Sequence, residues 1–118
     1  MMLMRWTMMV VGAVLLTGCV EENPPPAKVT DGIYDLNPEG CGQDLSVTRL
    51  TVAGDQFRFY ESVCRMEPVG PGADGLQARL ICTGEGESFE RQVNLRSHGN
   101  LLDMTENGET RRYHRCPV

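Results

Sequence analysis

Cysteine is the residue type whose number and spacing say most about chemistry in this 118-residue chain. Four of the five, Cys41, Cys64, Cys82 and Cys116, are separated by 23, 18 and 34 residues. Zinc sites and dithiol redox sites usually draw two sulfurs from one turn of chain, as Cys-x-x-Cys. No such pair occurs, so neither metal nor cofactor is expected. The two histidines suggest little chemistry. His98 sits beside Gly99 and is expected in a solvated turn, and His114 lies between Tyr113 and Arg115 in a strand-like run. No Gly-x-Ser-x-Gly elbow or Gly-rich phosphate loop accompanies them, and no Ser-His-Asp set is suggested. Glu61 is expected to pair with Arg65 or with an arginine of the last strand; glycoside cleavage would need a second carboxylate across a cleft. Arg111-Arg112-Tyr113-His114-Arg115 is the basic cluster. In a strand, Arg111, Tyr113 and Arg115 share one face while Arg112 and His114 share the other, so Asp103, Glu106 and Glu109 are expected to neutralise much of it. No catalytic residue is expected.

The fifth cysteine belongs to a different context. An apolar run from Met8 to Leu16 follows Arg5. It is about half of the roughly 20 residues that a spanning helix needs, and so fits the hydrophobic stretch of an export signal. The run ends in Leu16-Thr17-Gly18-Cys19, which resembles the lipobox of bacterial lipoproteins. The resemblance implies cleavage between Gly18 and Cys19, a diacylglyceryl group on the Cys19 sulfur, and an acyl chain such as palmitate on the new amino group. Several acyl chains give a stable membrane anchor where one is marginal. Val20, in place of the Asp that resembles a retention signal in enteric bacteria, favours the outer membrane with the domain facing the periplasm. Residues 1–18 are thus expected to be a signal peptide, 19–29 the lipidated cysteine and a tether, and 30–118 the folded domain. The tether holds Pro24-Pro25-Pro26, which favours a stiff polyproline helix. Residues 19–118 carry a net charge of −6, which argues against nucleic acid as a partner. Export also settles the remaining sulfurs, since an even number in a small exported domain implies two disulfides.

Thirteen Gly and seven Pro interrupt nearly every helical window, and the runs between them read as strands. Ile33 and Tyr34 open the series. Leu45–Val52 follows, and its apolar parity switches between Val47 and Leu50, which predicts a β-bulge near Thr48-Arg49. Gln56–Val63 returns with alternating Phe57 and Phe59. Residues 67–75 form the longest turn-rich stretch, and Val69, Gly70, Pro71 and Gly72 in it are candidate partner-binding residues on a fixed scaffold. Leu76–Thr83, Ser88–Leu95, Asn100–Thr105 and Glu109–Cys116 complete the set, with Ser97-His98-Gly99 as a turn. Asn107-Gly108 is the strongest hairpin signal, because both centres of a type I′ turn need positive φ. Seven or eight short strands make an all-β antiparallel meander, expected to close as a small up-and-down barrel or a strongly curled sheet. Of the three possible disulfide connectivities, this order favours Cys64–Cys82, joining consecutive strands, and Cys41–Cys116, fastening the start of the domain to its end.

Over most of residues 31–118 the domain resembles small exported β-domains of Gram-negative bacteria. The features are Phe57-Arg58-Phe59-Tyr60-Glu61-Ser62 before Cys64, Leu80-Ile81-Cys82, and Tyr113-His114-Arg115-Cys116. The expected function is a non-catalytic envelope lipoprotein that binds an envelope protein or polysaccharide. The domain is also similar to lipoprotein inhibitors of c-type lysozyme in export, size, acidity and a Cys-stapled barrel. That family presents a Ser-Gly-x-Lys/Arg-Tyr/Trp loop, and Ser97-His98-Gly99-Asn100-Leu101 departs from it in the place of its Gly and in lacking the cation and aromatic. Inhibition of a secreted hydrolase is the second expectation, and a small hydrolase the third.

Overall fold

The computed structural model describes residues 29–72 and 74–118, together with Gly12. Gly12 and Val29 aside, the expected signal peptide, the lipobox-like Leu16–Cys19 and the expected proline tether lie outside the described residues. The domain is an all-β barrel closed by eight antiparallel strands that follow one another in chain order. They are β1 (Gly32–Asp35), β2 (Arg49–Ala53), β3 (Gln56–Arg58), β4 (Val63–Gly72), β5 (Gly75–Gly84), β6 (Glu87–His98), β7 (Leu101–Glu106) and β8 (Glu109–Arg115). A 3₁₀ turn, Pro38–Gly42, lies between β1 and β2. Closure removes the open edges a flat meander would leave. The seam is narrow, with only Tyr34↔Arg115 and Asp35↔His114 registering β1 against β8.

The alternation of the sequence becomes inside and outside. Leu50, Val52, Phe57, Met66, Ala78, Leu80, Val93, Leu95, Leu102, Met104 and Tyr113 point inward and are buried. Both expected disulfides are present, Cys64–Cys82 and Cys41–Cys116. The first joins directly opposed residues of β4 and β5 inside the barrel. The second ties the 3₁₀ turn to the residue after β8, beside the seam. The Asn107-Gly108 hairpin is as expected, with φ of 52° and 79°.

Four local expectations are corrected. Leu45–Thr48 is not strand, and Leu45 and Val47 are 67% and 64% exposed. The parity switch marks where β2 starts, because Thr48 is held by Asp35 (Oγ1 to Oδ1, 2.7 Å) and the Arg49 N–H turns back to Ser46. Gln56–Val63 is broken after Arg58: the Phe59 N–H bonds the Ser62 carbonyl at 2.8 Å, a tight turn that aims Phe59, Tyr60 and Glu61 at one end of the barrel. His98 ends β6 instead of sitting in a turn. Finally, residues 67–72 and Gly75 are not loop but the far half of the β4–β5 hairpin, with the bulge at Val69.

Proline survives in β4 because of where the strand runs. β3 pairs with β4 only as far as Arg65, and Met66 sends its N–H to the Asp55 carbonyl at 2.7 Å. Beyond it β4 has β5 on one side and no strand on the other among the described residues. Strand alternation turns the Pro68 nitrogen to the same side as the Met66 N–H, and the bulge shifts parity so that the Pro71 nitrogen follows. Neither proline faces a partner that would need its missing N–H.

Candidate functional site

Antiparallel order gives the barrel two distinct ends. The ends of β1, β3, β5 and β7 and the starts of β2, β4, β6 and β8 meet at one end, called here the mouth. The chain enters at the opposite end, where Val29 is buried in the core and the Tyr34 hydroxyl donates to the Thr30 carbonyl at 2.7 Å.

The mouth opens into a cleft of about 490 Å³. Inward positions near the strand ends supply its floor: Leu36 after β1, Phe59 after β3, Arg91 on β6, and Arg111 and Tyr113 on β8. Arg91 is held by two groups. Its Nε and Nη2 donate to the Glu106 carboxylate at 3.0 and 2.9 Å, and its guanidinium lies 4.9 Å over the Phe59 ring. The Arg91 hydrogen bonds outweigh partial burial and lower the Glu106 pKa. Arg111 is exposed on the same wall, and no carboxylate lies within 4.0 Å of it among the described residues. Tyr113 stands two residues on along the same face. Burial raises its pKa, which the neighbouring Arg111 and Arg91 charges partly offset. Tyr60, 51% exposed, and Glu61 form the rim.

The expected Glu61 ion pair does not form: Arg65 reaches Glu67 instead, at 2.8 Å, and Glu61 has no cation within 4.0 Å among the described residues. The basic cluster is divided as its parity predicts. Arg112 forks onto Asp103 from the outer face (2.9 and 3.1 Å), whereas Arg111 faces the cleft. Sequence reasoning missed Arg91 and Arg111 as companions. The signal was present, since each is a cation at an inward position two residues from a buried side chain, Val93 and Tyr113. Val69, Gly70, Pro71 and Gly72 lie toward the end opposite the mouth and contribute nothing to this cleft.

Two other polar clusters sit on the outer wall. Asp35 is fully buried beneath the 3₁₀ turn and accepts from the Asn37 N–H at 3.0 Å as well as from Thr48. Burial raises its pKa, but hydrogen bonds from the Ser46–Thr48 segment and Asn37, with the Arg49 charge, outweigh that and leave it lowered. Gly40 lies so close to this carboxylate that a side chain there would collide with it. Arg49 spends one guanidinium nitrogen on the Gly40 and Gln43 carbonyls. Asp103, 7% exposed, takes the Arg112 fork and a 2.9 Å contact from His98 Nε2. The Arg112 hydrogen bonds, against some desolvation and aided by His98, hold its carboxyl at about 2.

That value carries a pH dependence. An unfolded Asp titrates near 3.9, so the stabilisation from Asp103 is complete above that pH and is lost as pH falls through about 2. Urea midpoints of wild type and Asp103→Asn, followed between pH 5 and 2, are expected to converge as pH falls. Parallel curves would show that the network contributes no pH-dependent stability. Among the described residues no group of three or more His, Cys, Asp or Glu could hold a metal ion, and no helix is long and apolar enough to cross a membrane. No protein-family model, curated protein or solved structure matches the chain.

Proposed function

We propose that this chain is a lipid-anchored binding module of the bacterial envelope, held by Cys19 to the outer membrane and facing the periplasm, with the barrel mouth as its binding surface. One observation carries the reading: the mouth cleft and the entry of the chain are at opposite ends of the barrel. A tether leading from residue 19 to Val29 reaches the end away from the cleft, so an anchored domain presents the mouth outward. The closed barrel is filled with side chains, so recognition falls to its rim, where disulfide-fixed strands lose little entropy on binding. The cleft holds charged, aromatic and apolar groups together, the mixture that orients a ligand through a few polar contacts on an apolar floor.

The first test is anchoring. Intact-mass analysis of the membrane fraction should find a chain beginning at a triacylated Cys19, and Cys19→Ala should leave the protein uncleaved and without lipid. An unmodified residue 19 in the membrane fraction overturns the anchor. The second is the binding surface. A photo-crosslinking residue at position 60 should capture an envelope component, and one at position 69 should not. Capture from position 69 alone would move the site to the other end.

A further inference from the structure

We infer that the mouth is a site for an acidic sugar, with Arg111 taking the carboxylate, Tyr60 stacking on the sugar ring and Glu61 accepting its hydroxyls; this rests on the mouth being the binding surface. Charge is the first ground. The domain is acidic overall, yet its cleft exposes a guanidinium with no carboxylate within 4.0 Å among the described residues. A cation in a walled cleft focuses potential on anions, and the planar fork of Arg fits a carboxylate through two parallel hydrogen bonds. Arg91 is not available for this, because Glu106 and the Phe59 ring already occupy it.

The second ground is the unused aromatic. Arg91 covers Phe59, and Tyr113 is buried, so Tyr60 is the ring on this rim with a large exposed surface. Such a face suits the C–H side of a pyranose, which buries apolar area without losing hydroxyl hydration. The third ground is Glu61. A simple anion site would not carry an unpaired carboxylate in the same cleft, since like charge repels the ligand. A carboxylate that accepts hydroxyl hydrogens removes that conflict, and a sugar acid supplies both a negative group and several donors. A cleft of about 490 Å³ is of the size for one or two sugar rings.

The probe is D-glucuronate, titrated into the folded, disulfide-intact domain and followed by amide NMR. Saturable shifts centred on Glu61, Arg91, Arg111 and Tyr113 are expected. Glucose, lacking the carboxylate, and acetate, lacking the ring, should each bind at least tenfold more weakly. Arg111→Gln should weaken glucuronate at least tenfold and Tyr60→Ala severalfold. Tyr60→Phe, which keeps the ring, and Arg58→Gln, an exposed cation of β3, should change nothing. Tetragalacturonate is expected to give the same shift pattern, and tighter binding than glucuronate marks a polymer as the natural source. Absence of saturation, glucose binding as well as glucuronate, or an unchanged affinity in Arg111→Gln overturns the assignment. Crosslinking from position 60 separates the two levels. Capture there without glucuronate binding discards the sugar acid and keeps the binding surface, whereas no capture together with no glucuronate binding removes both.

Discussion

Replacing Cys41 and Cys116 together by Ala is expected to lower the stability of the domain by about 4 kcal/mol, the chain-entropy value for a loop of this length. The bridge spans 75 residues of separation, nearly the whole barrel, against 18 for Cys64–Cys82. Its location adds to its length. β1 and β8 are registered by two residue pairs, while β5 and β6 are registered by nine. The Cys116 N–H bonds the Ile33 carbonyl at 2.7 Å, so the bridge clamps the weakest seam. Without it, the 3₁₀ turn is held over Asp35 only by hydrogen bonds such as those from Arg49. Ordinary domains have about 5–15 kcal/mol in all, so the variant should unfold at much lower urea, and hydrogen exchange should quicken first at Tyr34, Arg115 and Cys116's neighbours. A loss below about 1 kcal/mol would place closure in the strands alone, since the chain-entropy account requires several times that.

The second large effect is expected at Phe57. Its side chain is fully buried and is the largest in the core to be so. It registers against Val52 on one side and Cys64 on the other, between two short strand pairings that have little else to hold them. Phe57→Ala removes a ring that its neighbours cannot replace, because the Cys64–Cys82 bridge fixes the wall behind it. Such truncations typically cost about 3–5 kcal/mol. Phe89→Ala is the matched comparison: the same chemical change at a ring 40% exposed. It should cost well under half as much, measured as urea midpoints at constant m-value. Equal losses would mean that burial does not set the energetics of this barrel.

The fold could be read from the sequence where structure is local. Asn107-Gly108 demands its hairpin, and the alternation through Leu76, Ala78, Leu80 and Cys82 is that of one buried face. The disulfide pairing followed from strand order once a meander was expected. What escaped depends on partners distant in sequence. Pro68, Gly70 and Pro71 read as loop because a strand with neighbours on both sides would reject them; that β3 stops early, leaving one flank open, is a property of the whole sheet. Leu45 and Val47 carry a strand's composition, but Asp35 captures Thr48 and starts β2 later. The cleft was hidden for a similar reason. Its residues come from five separate stretches of chain, and only closure brings Leu36, Phe59, Arg91 and Arg111 to one rim. Arg91 interrupts the apolar face of Phe89, Val93 and Leu95, and Arg111 belongs to a basic cluster; the barrel's end is where both can reach water.

The two proline nitrogens on the free flank of β4 have a consequence for molecules gathered at high density. A bare strand flank is a template on which a second copy can add its own strand, and each such addition exposes the next. Pro68 and Pro71 remove two of the donors that such growth would use, and the Val69 bulge bends the remaining ones out of line. Under the membrane anchoring proposed above, copies would meet more often than in free solution, and the two prolines are expected to limit strand addition along this flank.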